Sequence, residues 1–190
     1  MSSKIKPALL ITDMQKGCVE KKDEIKIFPD RRKVINNLKK LATVFRERGH
    51  PVIFSVIEHE PDGTTLPIGN KEVWSAKGSE DAQVLEELRP QSHDILVPKT
   101  RLSAFFETDL ENILKKLSVN MVVLTGYQLS ICVYATALDS YQMGFWPKVV
   151  TDASLDINER RFNDFSKCFD EFEYSILTER VISNILHGWS

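Results

Sequence analysis

A carboxylate, an ammonium and a thiol stand behind three short apolar runs of this chain: Asp13 after ALLI (8–11), Lys99 after DILV (94–97) and Cys132 after MVVL (121–124). Their chemistry is complementary. A carboxylate accepts a thiol proton and later returns it to a leaving group. An ammonium beside sulfur favours the thiolate. In LTGYQLSICVYATAL, Ser130 reads as a helix cap that places Cys132 in the first turn. There, unpaired backbone N–H groups and the positive end of the helix dipole face the sulfur. The same donors can hold an oxyanion. Together the three groups would suit covalent acyl transfer. Each also has a plainer reading. Cys132 can be a small buried hydrophobe, Asp13 a turn cap and Lys99 a solvated surface side chain.

The elements that must position these groups alternate along the chain. The strands are ALLI, VIFSVI (52–57), DILV, MVVL, KVV (148–150) and a short SIL (175–177). Between the first two, Val34, Leu38, Leu41 and Phe45 keep helical spacing, with Asp30 as cap and Gly49 as stop. Ser79 predicts the start of a short helix carrying Val84, Leu85 and Leu88. Thr108–Glu111 has the form of a capping box ahead of Leu110, Ile113, Leu114 and Leu117. A helix is expected from about 131 to 143, stopping at Gly144, another around Phe162, Phe165, Phe169 and Phe172, and a last one after SIL.

Strands joined by helical crossovers form a parallel sheet covered on both faces. The expected fold is α/β and three-layered (α-β-α): a mostly parallel, six-stranded, Rossmann-like sheet in a single domain, 1–190. Such sheets bind ligands beyond the carboxyl ends of their strands. Asp13, Lys99 and Cys132 all lie on that edge.

Composition narrows the function classes. The chain has 190 residues, 42% hydrophobic and 27% charged, with a net charge of -2. That balance carries no polyanion-binding field, so nucleic acid is not expected as a partner. No apolar run is long enough to span a bilayer and no signal peptide is read at the N-terminus, so a membrane partner is not expected either. Three cysteines without a CxxC pair argue against a disulfide framework or a cysteine zinc site. A cytoplasmic location is the expectation.

Three segments carry a family resemblance. LLITDMQKG resembles the first signature of the isochorismatase-like cysteine hydrolases, DILVPKTRLSAFFETDLENIL the second, and VVLTGYQLSICVYATALDSYQMGFWPKVVTDAS the third, in that order. The family's catalytic Asp, Lys and Cys fall on Asp13, Lys99 and Cys132. The resemblance further implies a cis peptide at Tyr127–Gln128, with the backbone N–H groups of Gln128 and Cys132 forming an oxyanion hole. Bulky Tyr127, Gln128 and Leu129 depart from the small residues usual there. Nicotinamidase members hold a metal through residues that align with Ile57, His59 and Trp74. Ile57 and Trp74 offer no ligand atoms, so no metal and no other cofactor are expected. Pocket positions fall on Cys18, His59, Trp74, Phe105 and Tyr127, with Arg101 placed to meet a substrate carboxylate. The implied activity is cleavage of a C–N bond in a small amide or N-carbamoyl metabolite through a thioester. Two alternatives stand beside it: a vinyl-ether hydrolase with Asp13 as general acid, and a catalytically silent metabolite binder. The family also implies a homodimer or homotetramer.

Overall fold

The computed structural model describes residues 4–20, 27–70 and 72–189. Its strands are β1 (Pro7–Thr12), β2 (Val52–Ile57), β3 (Ile95–Lys99), β4 (Met121–Tyr127), β5 (Trp146–Leu155) and β6 (Ser175–Ile176). Its α-helices are α1 (Lys16–Val19), α2 (Arg31–Glu47), α3 (Leu110–Lys116), α4 (Tyr134–Gln142), α5 (Glu159–Glu171) and α6 (Thr178–His187). The sheet order is β3-β2-β1-β4-β5-β6, and every pairing between these strands is parallel. The fold is the three-layer α/β sandwich that the alternation of elements implies.

Successive side chains of a strand point to opposite faces, and here both faces are apolar. Leu9 and Ile11 pack with Val34, Leu38 and Phe45 of α2 and Val181 of α6. Ala8 and Leu10 face the other way, toward Leu110 and Leu114 of α3, Ala137 of α4 and Phe169 of α5. The chain builds outward from β1 to β3, then returns to place β4 on the other side of β1. That reversal opens a crevice at the carboxyl ends of β1 and β4. The two strands approach so closely there that a Cβ on Gly126, whose φ is +108°, would overlap the Thr12 backbone.

Several local expectations change. Ser79 starts no α-helix; the segment holds one 3₁₀ turn, Glu86–Leu88. Its backbone is committed elsewhere: Lys16 N–H donates to Gln83 O, Gly17 N–H to Asp81 O and Leu85 N–H to Met14 O. Pairing with residues 14–17 overrides the helical pattern, and the Ser79 hydroxyl only accepts from Ala82 N–H at 3.3 Å. The capping box does not close. Thr108 Oγ1 accepts from Leu110 N–H at 3.2 Å, while Glu111 pairs forward with Lys115 at 2.5 Å. Pro98 and Lys99 belong to β3 itself. Proline is tolerated because β3 is an edge strand. β4 and β5 run past their apolar centres to Tyr127 and Leu155.

Candidate active site

Asp13 leaves β1 with φ +49°, a left-handed conformation that aspartate tolerates better than most residues. Its N–H donates to Ser55 O at 2.9 Å, which pins the bend against β2. Lys99 reaches across the end of β2 from the sheet edge, and its Nζ donates to Asp13 Oδ2 at 2.8 Å. Two backbone carbonyls, Arg101 O at 2.9 Å and Leu102 O at 3.0 Å, complete the ammonium's donor set. Both side chains are almost fully buried, at 0% and 1% exposure. All three ammonium hydrogens have acceptors, so this lysine is a fixed charge.

Cys132 follows β4 in a wide turn, Leu129–Val133. Ile131 N–H and Val133 N–H both donate to Gln128 O, at 3.0 and 3.1 Å, and the second of these is a π-type bond. The Tyr127–Gln128 peptide is cis. Ser130 is not the cap that its sequence position implied. It sits inside the turn, and its N–H donates to Asp156 Oδ2 at 2.8 Å. A carboxylate from β5's end thus serves where a local hydroxyl was expected.

Burial raises the Asp13 carboxyl above its ordinary value of 3.8, against the opposing pull of Lys99. Burial draws the Lys99 ammonium down, but the negative charge of Asp13 and its hydrogen bond oppose that, and the group is left raised. For Cys132, burial and then the Asp13 charge push the thiol up, and Lys99 compensates only in part. The lowered thiol pKa expected from a helix start beside an ammonium is therefore not what this geometry produces. At rest the Cys132 thiol is held neutral and faces the Asp13 carboxyl group. Asp13 Oδ1 is buried without a well-aligned donor, while the Cys132 thiol interacts with the same carboxyl group.

Asp13 and Cys132 open onto one cavity of about 360 Å³. Of the expected pocket residues, Cys18, Trp74 and Tyr127 line it, joined by Gln128. Gly17, Leu102 and Ile131, which the sequence does not single out, also line it, as does Ile57, marked in the sequence only as a non-ligating position. Three expected residues stand outside the lining. His59 is 1% exposed and packs edge-on against Trp74, with ring centroids 5.0 Å apart. Burial lowers its pKa, so it supports the wall as a neutral ring. Arg101 directs Nη1 to the carbonyls of Thr65 (2.7 Å) and Thr100 (2.9 Å), fastening a loop. Phe105 is core, stacked on Phe145 at 5.9 Å. A hollow of similar size, about 400 Å³, surrounds His50, Pro51 and Asp94. It lies at the amino ends of the strands and joins no acid to a nucleophile.

Two positioning residues escaped the sequence reading. Gln15 is fully buried, and its Nε2 donates to Ile57 O (2.8 Å) and Ala82 O (2.9 Å) while Oε1 accepts from Ile57 N–H (2.8 Å). It ties β2 to the loop that carries Trp74. Asp156, also fully buried, accepts from Gln128 Nε2 (3.0 Å), Ser130 N–H (2.8 Å) and Ile157 N–H (2.7 Å). Gln15 has no local signature, since its partners are remote. Asp156 is a polar residue at a strand end, and placing the end of β5 at Leu155 instead of Val150 would have found it.

The residues expected at the nicotinamidase-type metal positions do not fit a divalent ion. Ile57 and Trp74 have no ligand atoms there. Among the described residues no three His, Cys, Asp or Glu side chains gather into a ligand set.

Residues 7–179 match the family model for the isochorismatase domain. The chain is 29% identical over 140 residues to the ureidoacrylate amidohydrolase RutB of Pseudomonas savastanoi pv. phaseolicola, a match covering 64% of this chain and 57% of that relative. The chain thus spans little more than half the length of the curated relative. The structure of N-carbamoylsarcosine amidase from Thermoplasma acidophilum is similar with a TM-score of 0.75 and 27% identity, covering 91% of this chain and 95% of that one. Nicotinamidase PncA from Bacillus subtilis gives a TM-score of 0.75 and 26% identity, over 87% of this chain and 95% of the other.

Proposed function

From the premise that the chain belongs to the isochorismatase family, we propose that it is a cysteine-dependent hydrolase. It cleaves the C–N bond of a small amide or N-carbamoyl compound. One observation carries the reading: Asp13, held by the buried Lys99 at 2.8 Å, opens onto the same cavity as Cys132. Two relatives whose names denote amide hydrolysis support the bond type.

The neutral thiol defines the first step. As sulfur attacks the substrate carbonyl carbon, its proton passes to Asp13, and the carbonyl π electrons move onto oxygen. The backbone N–H groups of Gln128 and Cys132 hold that oxyanion. Lys99 keeps positive charge beside the developing thiolate. Asp13 then gives its proton to the substrate nitrogen, the C–N bond breaks, and ammonia or an amine departs from a Cys132 thioester. Water enters the vacated space and adds to the thioester as Asp13 takes its proton. The acid leaves, the C–S bond breaks, and Asp13 returns a proton to sulfur. The covalent route divides one hard step into two easier ones. A carboxyl group raised by burial suits this exchange, because its affinity for protons moves toward neutrality.

Rapid-quench mass spectrometry during amide turnover tests the proposal. The expected result is an acyl adduct on the Cys132 peptide, with ammonia release abolished in Cys132→Ala. An adduct on Cys18 or Cys168 instead would overturn the assignment.

A further inference from the structure

We propose that the substrate's non-reacting group is uncharged and apolar, so that the enzyme takes small aliphatic or aromatic amides and excludes those bearing a carboxylate. This rests on the hydrolase reading and names its substrate class.

Beyond the reacting end, the cavity walls are Ile57, Trp74, Leu102 and Ile131, with the Cys18 thiol. The remaining lining residues are Asp13, Gly17, Tyr127, Gln128 and Cys132. None is a cation. Lys99 lies beneath the cavity with Asp13 and two carbonyls as acceptors. Arg101 stands outside the lining with Nη1 on two carbonyls. His59 is neutral and shielded by Trp74. Lys16, on the neighbouring helix, pairs with Glu80 at 3.1 Å on the outer surface. A substrate carboxylate entering here would lose its water and meet no compensating charge from the described lining residues, a heavy penalty against apolar walls. It would also approach the Asp13 carboxylate. An alkyl or aryl group would instead cover Trp74 and Leu102, which are 41% and 53% exposed.

The test compares primary amides on the wild-type enzyme. Along the series propionamide, butyramide, pentanamide, kcat/KM is expected to rise about fourfold per methylene, the value of burying one CH₂. The near-isosteric pair 4-methylpentanamide and succinamate isolates charge, and the neutral member is expected to be favoured by at least about a hundredfold. Leu102→Arg, which sets a guanidinium at the cavity rim, should narrow that preference tenfold or more. Succinamate equal to or better than 4-methylpentanamide in the wild type would overturn the proposal, as would a flat methylene series. Calorimetric binding of the same pair to Cys132→Ala separates the two claims. If binding favours the neutral amide but the wild type hydrolyses neither, the hydrolase reading fails and the apolar pocket stands. If binding shows no such preference, the apolar pocket fails whatever the turnover.

Discussion

Two buried aspartates, at the ends of β1 and β5, meet opposite surroundings. Asp156 is enclosed by N–H donors: two backbone amides and the Gln128 side chain. Asp13 has one ammonium on Oδ2, a thiol nearby and a buried Oδ1 without a well-aligned partner. A carboxylate satisfied on both oxygens by fixed amides serves as a strut. One with an unsatisfied oxygen against a thiol is placed to take a proton. The difference fits the proposed division of work, in which Asp13 moves protons, while Asp156 holds Gln128 and the turn that carries Cys132.

Exchanging each carboxylate for its amide should expose that division. Asp13→Asn keeps an acceptor for Lys99 but removes the base, so kcat is expected to fall about 10³- to 10⁴-fold in a steady-state assay. Asp156→Asn turns an NH₂ toward N–H donors. It should lower stability by about 1–3 kcal/mol, read from denaturant unfolding. Displacement of the turn that carries Cys132 should reduce kcat about tenfold to a hundredfold with KM little changed. An Asp156→Asn enzyme that melts early but keeps its full kcat would reduce Asp156 to a purely structural role.

The pH profile sharpens the contrast. Asp13 must be ionised to accept the thiol proton, and its pKa is raised. As pH falls through that raised value, Asp13 protonates and kcat/KM should drop about tenfold per unit. The drop should begin above the ordinary carboxylate value of 3.8. The smallest effect concerns the metal positions. With Ile57 and Trp74 in place of ligands, a pyridine nitrogen gains nothing, so nicotinamide and benzamide should give kcat/KM values within about threefold. A large preference for nicotinamide that chelators abolish would contradict that reading.

Much of this was legible in the residue string. Runs such as VIFSVI and the Val34–Phe45 spacing mark their elements because burial imposes a period, and that period survives in one dimension. Strand ends also locate Asp13 and Lys99, since a parallel sheet gathers its carboxyl edges. What could not be read depends on partners far away in the chain. Gln15 has meaning only beside Ile57 and Ala82. Ser130 looks like a cap until Asp156, 26 residues on, takes its N–H. Arg101 and Phe105 lie in the signature that supplies Lys99, yet one turns to loop carbonyls and the other to the core. The thiol's electrostatics went the other way for a similar reason. Helix start and ammonium are visible locally, while burial and the facing carboxylate arise only on folding.

Alkylation of Cys132 by iodoacetamide as a function of pH, followed by peptide mass mapping, tests the shared proton most directly. In the wild type, burial and the Asp13 charge should hold labelling to pH values above those of an ordinary thiol. In Asp13→Asn, the same ammonium faces the sulfur without an opposing charge, and the profile should move to lower pH even as hydrolysis is lost. Identical profiles in the two proteins would contradict the account, because the carboxylate would then have no hold on the thiol proton.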